Sequence, residues 1–340
     1  MHSKNKTSET PESTPNKKQN KFDRFFIQLE KINIATFLFI VGMLTLVSML
    51  LPQFTLNGKT VILARDAFTS NYRGSFFILF YYFIPVIVGL ISYIKSKESK
   101  IWDAFAFALT LTSAIILFSS ASILASVNDA KFTLNAGPII GGILAIVMVL
   151  ALMRENFARN AFSIKEISEA ALLVAAALVF DQLVPGIRVS AGAGSINLAM
   201  LPLFIIAFRF SFTKSWLAIG VVFGLISNLM DGWGFAAYPF DYFLAYGLIS
   251  FVSLIKEFAF PRKGEKVKWY HLALFVTAIL IGTVGRLIGS TISSLLLYGY
   301  KLGPALSYNI LYVLPSGASV LVIMLLLYKP LIYINERFKH

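Results

Sequence analysis

Ten apolar runs, most of them long enough to cross hydrocarbon as a helix, leave this chain no water-soluble way to fold. A bilayer core of roughly 30 Å takes about 20 helical residues. The cores of the runs fall at 32–51, 75–94, 104–125, 138–153, 170–183, 198–210, 216–230, 238–255, 272–298 and 306–328, the fifth to seventh being short. With 57% hydrophobic and 14% charged residues and a mean hydropathy of +0.74, too few polar side chains remain to coat a soluble core. The expected fold class is an all-α integral membrane protein of about ten transmembrane helices.

Charge sets the direction. The net charge of +13 would suit nucleic acid if it gathered on one domain, but the basic residues sit in short turns between apolar runs, where they act as topology signals. With the N-terminus inside, the inner turns collect Lys95, Lys97, Lys100, Arg154, Arg159, Lys256 and the Arg262 to Lys268 cluster. The outer turns hold Lys59, Arg65, Arg73, Lys131, Arg188 and Lys301. Both termini are therefore expected in the cytoplasm of a multi-pass cell-membrane protein, and no nucleic-acid partner is expected. Residues 1–25 are polar and Pro-, Ser- and Lys-rich, the composition of a disordered tail. Residues 26–154 are read as a four-span module of unassigned role, 155–169 as a charged interfacial linker and 170–340 as a six-span substrate-binding module; one undivided ten-helix bundle is the alternative.

Zero cysteines exclude thiolate chemistry, and His2, His271 and His340 are too scattered to hold a metal, so neither metal nor cofactor is expected. No GxxxxGK[ST] phosphate loop occurs, so the chain is not expected to hydrolyse ATP itself. Asp231-Gly232 resembles the opening of a phosphatidyl-transferase signature, but the later paired aspartates are missing. An enzyme is not expected.

The polar residues inside the apolar runs carry the functional reading, because hydrocarbon tolerates such groups only at a cost. In DGWGFAAYPFDYFLAY (231–246), Gly232, Gly234 and Pro239 make an outer turn and Asp241 falls about one turn into the eighth span. Tyr238, Tyr242 and Tyr246 repeat at a spacing of four beside it. A carboxylate among aromatic faces suits an organic cation, although an interfacial aromatic belt with a solvated Asp241 reads equally well. Trp233 stands next to the expected pocket mouth. Arg286 shares a helix with a Gly285/Gly289 pair suited to close packing, and needs an anionic or carbonyl partner: Asp241, Asp231 or a ligand group. Asn309, in SYNILYVLP, can donate and accept toward a heteroaromatic ring or cap its helix. The Gly-, Ala- and Ser-rich loop 185–197 could close as a lid or serve as a plain connector. Ala171 and Ala175 form a small-xxx-small face for another helix or a partner subunit.

Three stretches, GSINLAMLPLFIIAFRFSF (194–212), FDYFLAYG (240–247) and the GR…YG…YNILYVLP pattern (285–315), resemble the substrate-binding subunit (S-component) of energy-coupling factor vitamin transporters, particularly the thiamine-specific type. The resemblance covers roughly half the chain. It implies a six-helix receptor that binds its vitamin near the outer face and docks onto a transmembrane coupling subunit driven by two ATPases. It further implies ligand contacts at Asp241, Tyr242 and Asn309 and docking through Ala171 and Ala175. The chain departs from the family pattern in using Asp241 for the usual Glu, Ser290 for a ligand-contacting His and Tyr298 for a Trp; the family's Tyr falls near Pro304, and the lid loop lacks a Trp. A thiamine-like vitamin is the expected ligand. Another vitamin, or a stand-alone secondary carrier, is the alternative, and the first four spans are not explained by the resemblance.

Overall fold

The computed structural model describes residues 33–67, 72–95, 99–155, 161–184, 186–188, 194–262 and 264–337. The N-terminal tail, residues 185 and 189–193 of the 185–197 loop, and His2 and His340 lie outside them. Ten helical segments appear in the order of the ten runs. They are α1 (Ile34–Ser48), α2 (Ser75–Ile94), α3 (Lys100–Asn128), α4 (Ala136–Glu155), α5 (Ile164–Leu178, prolonged by a π-helical Val179–Leu183), α6 (Met200–Arg209), α7 (Phe212–Asp231), α8 (Tyr238–Ala259), α9 (Trp269–Leu296) and α10 (Leu302–Arg337). Among the described residues, α2, α3, α4, α7, α8, α9 and α10 are long and apolar enough to cross a membrane. The protein is an all-α integral membrane protein. At 10 residues, α6 spans only about 15 Å and cannot cross alone.

Helices start and stop where local chemistry directs. Ser99 caps α3 through the Trp102 amide. Gly232 at φ +71° ends α7, and Pro239 sits in the first turn of α8. The N-terminal half also carries a small antiparallel sheet in the order β2-β1-β3, made of β1 (Phe54–Leu56), β2 (Lys59–Val61) and β3 (Phe132–Leu134). Asn57 and Gly58, both at positive φ, form the tight turn between its first two strands.

The charged segment read as an interfacial linker is different. From Ile164 onward it is the first turn of α5, opened by a capping box in which the Glu166 amide donates to Ser163 Oγ and the Ser163 amide to Glu166 Oε2. Its acids point inward. Glu166 pairs with Lys214 at 2.5 Å, and Glu169 takes a two-pronged contact from Arg209 at 2.5 and 3.0 Å, while Arg209 also donates to Asn335 Oδ1. These charges clamp α5 to α6, α7 and α10. The opposite face of α5 exposes Ile164, Ile167, Ala171, Leu172 and Ala175.

In the second half, Phe208 stacks on Phe275 at 4.6 Å, and Trp216 packs among Phe212, Phe243 and Phe251. This aromatic core holds α6 to α9 together and leaves one end each of α5, α7, α8, α9 and α10 around a cavity.

Candidate binding cavity

A cavity of about 860 Å³ opens where six segments converge. The π-helical end of α5 brings Asp181 and Gln182. The strand β5 (Ser195–Ile196), paired with β4 (Ile187–Arg188), brings Ser195 and then Asn197. The end of α7 and the turn after it bring Asp231 and Trp233, α8 brings Asp241, Tyr242 and Tyr246, α9 brings Arg286, Ser290 and Ser294, the turn into α10 brings Tyr298 and Tyr300, and α10 itself brings Tyr308, Asn309 and Tyr312. Asp241, Arg286 and Asn309, far apart in the chain, share this one space. The π-helical stretch Tyr238–Leu244 turns Asp241 inward while neighbouring Phe240 is fully buried on the other side.

The three carboxylates are held by neutral donors. Asp181 accepts from Ser227 Oγ at 2.6 Å and Asn197 Nδ2 at 3.1 Å. Asp231 accepts from Tyr242 Oη at 2.6 Å and Gln182 Nε2 at 2.8 Å. Asp241 accepts from Ser293 Oγ at 2.6 Å on one oxygen; its other oxygen meets no protein donor among the described residues. Arg286 pairs with none of them within 4.0 Å. It lies flat over the Tyr246 ring, Cζ 3.6 Å from the centroid, and its buried Nη1 finds no hydrogen-bond acceptor among the described residues. The structural ion pair with Asp241 or Asp231 weighed from the sequence is therefore not formed. Three acids against one base make the lining net negative, and its walls are aromatic, which favours a cationic ring system.

Asn309 is 1% exposed and lies a full turn inside α10, so it is no helix cap. Its Nδ2 donates to Ala305 O at 2.8 Å and Ser294 Oγ at 2.9 Å, and its Oδ1 accepts from Tyr312 Oη at 2.7 Å. In this state Asn309 fastens α9 to α10 and fixes Tyr312 over the cavity. Ser290 and Tyr298 both line the space, Tyr298 half exposed near the entrance alongside Trp233. Tyr238 is a correction. It does not line the cavity: as the first residue of α8 it stacks back on Phe235 of the preceding turn at 5.4 Å and packs against Phe243. Sequence reasoning missed Asp181, Gln182, Asn197, Tyr300, Tyr308 and Tyr312 as lining residues. Asp181, an acid inside an apolar run, could have been found by the rule that found Asp241. A second groove of about 340 Å³ along α8 and α9 is almost wholly apolar, with Thr277 its single hydroxyl-bearing lining residue.

Comparison with known proteins agrees with the chemistry of this cavity. The family model described as Thiamine transporter protein (Thia_YuaJ) matches residues 167–336. The thiamine transporter ThiT of Bacillus subtilis is 29% identical over 173 residues, 47% of this chain and 88% of that protein. No solved structure matches. The matched half contains every residue that lines the cavity, and on that half the chain belongs to the thiamine transporter protein family.

Proposed function

We propose that the cavity captures thiamine, or a close relative joining a cationic azolium to a second heteroaromatic ring, from the outer side of the cell membrane. The observation that carries this reading is a net-negative, aromatic-walled cavity in which Asp241 keeps one oxygen free and Arg286 keeps one donor free. A ligand with a fixed positive charge and a separate acceptor satisfies both at once. Asp241 takes the cationic end, Tyr242, Tyr298 and Trp233 supply π-faces, and Ser290 and Asn309 set the polar floor. Arg286 donates to an acceptor on the ligand.

In the same reading both termini are cytoplasmic, residues 33–155 form a four-helix module, and residues 164–337 form a six-helix receptor. The chain works as an S-component. Its exposed α5 face, with Ala171 and Ala175, docks on a membrane coupling subunit driven by two ATPases, since small side chains let a partner helix approach closely. Calorimetry of the purified chain against a vitamin panel tests the ligand: saturable thiamine binding is expected, and no binding of any panel member sinks the proposal. Uptake into liposomes tests the coupling. Accumulation by the chain alone would make it an independent carrier, whereas an S-component accumulates only with its ATPase partners.

Trp233 provides a direct optical readout. It is 60% exposed at the mouth of the cavity. Its emission is expected to change on saturation with thiamine, and a Trp233→Phe variant is expected to lose that change. A signal identical in both proteins would place the reporter elsewhere.

A further inference from the structure

The family match begins at residue 167, yet helices that precede it press on the outside of the cavity wall. Phe240, fully buried and adjacent to Asp241, projects away from the cavity into a cluster with Ile116 and Ile123 of α3, all at most 2% exposed. Phe77 of α2 closes the cluster, its ring 5.5 Å from that of Phe240, and Ile292 and Leu296 of α9 complete it. Those two residues flank Ser293 and Ser294, which donate to Asp241 and accept from Asn309 respectively.

A second contact lies at the entrance. Asn128, at the end of α3, binds the Arg73 backbone through both its amide groups at 2.9 and 3.0 Å. The guanidinium of Arg73 lies 3.2 Å from where a Cβ on Gly299 would be. Gly299, at φ +66°, makes the turn between Tyr298 and Tyr300, both of which line the cavity.

From these two contacts we infer that the N-terminal helices are a built-in positioning partner of the binding cavity: Phe77, Ile116 and Ile123 hold the Asp241-bearing start of α8 in register by gripping Phe240 from behind, and Arg73 steadies the Tyr298–Tyr300 turn. The π-helical start of α8 needs such support. Wide helical turns are held by their surroundings more than by their own hydrogen bonds, and with the buttress removed the segment relaxes and Asp241 leaves its productive position. Phe77 and Ile123 are thus positioning residues that touch no ligand.

The affinity part of this inference rests on the proposed thiamine site, so the experiment on the full-length purified chain has two readouts. Hydrogen–deuterium exchange of the segment 238–246 reports its register without any ligand, and calorimetry reports thiamine affinity. Phe77→Ala and, independently, Ile123→Ala are expected to speed exchange in 238–246 and to weaken thiamine binding about tenfold, with Phe77→Leu largely restoring both. Leu38→Ala is the control. It opens a hole in the same N-terminal module, against Ile84 and Val88, away from Phe240. It is expected to lower thermal stability while leaving exchange of 238–246 and thiamine affinity unchanged. Unaltered exchange in both Phe77→Ala and Ile123→Ala, or equal acceleration by Leu38→Ala, overturns the inference. Exchange that responds as expected in a chain that takes no thiamine upholds the buttress and removes the ligand.

Discussion

Asp241→Asn is expected to weaken thiamine binding by about 2 kcal/mol, roughly thirtyfold, with little change in the melting temperature of the unliganded protein. The asymmetry follows from the hydrogen bonds. Asparagine keeps the volume of Asp241, and its carbonyl oxygen can still accept from Ser293, so the unliganded cavity wall loses little. What disappears is the charge and the oxygen that faces the cavity with no protein donor among the described residues. A cation in that space then faces a dipole instead of an anion, and the aromatic walls alone retain the remainder. Asp181→Asn is the informative contrast. Both oxygens of Asp181 accept from protein donors, Ser227 and Asn197 among them, so an amide placed there turns an N–H toward a donor. That variant is expected to lose stability first. Calorimetry and thermal unfolding on the two proteins separate the cases, and wild-type affinity in Asp241→Asn would show that the carboxylate does not meet the ligand.

The membrane spans were legible because hydrocarbon permits few solutions. Each run in the sequence reappears as a helix in the same order, and the family resemblance drawn from 194–212, 240–247 and 285–315 falls inside the matched region 167–336. Periodicity could not reveal which charged residues turn inward. Glu166 and Glu169 stand in the segment read as a charged interfacial linker, and only the fold brings Lys214 and Arg209 to them across 48 and 40 residues of chain. The hairpin at Asn57-Gly58 was not read from the sequence, although Asn-Gly is a favoured hairpin turn, because the apolar runs around it dominated the reading.

The cavity was half legible for a related reason. Polar residues stranded in apolar runs pointed to Asp241, Arg286 and Asn309, and the structure brings these three together. Spacing then misled at Tyr238, because it is the first residue of its helix and the preceding turn offers it a competing aromatic partner in Phe235. Arg286 was expected to need an anionic or carbonyl partner, from Asp241, Asp231 or a ligand group. It instead stacks on Tyr246, a partner chosen by the α8–α9 crossing and invisible to any reading of charge alone.

That crossing is the most sensitive point of the molecule, and a single side chain should destroy it. At Gly289 of α9 an added Cβ would lie 2.4 Å from the Cα of Ala245 and 2.7 Å from its backbone nitrogen, a collision with backbone that no rotamer can relieve. Gly289→Leu must therefore push α8 and α9 apart, with an expected cost of about 3 kcal/mol or more from the overpacked contact. The consequence reaches the site directly. Arg286 and Ser290 lie on α9 within a turn of Gly289, and Tyr246 follows Ala245, so the stacked pair and the polar floor separate together. A large fall in apparent melting temperature and no measurable thiamine binding are expected. Gly303→Ala, near the start of α10 with nothing within 4 Å of the new methyl group, should stay within about 0.5 kcal/mol of wild type. If Gly289→Leu melted and bound thiamine like Gly303→Ala, α8 and α9 could not cross as closely as the structure places them.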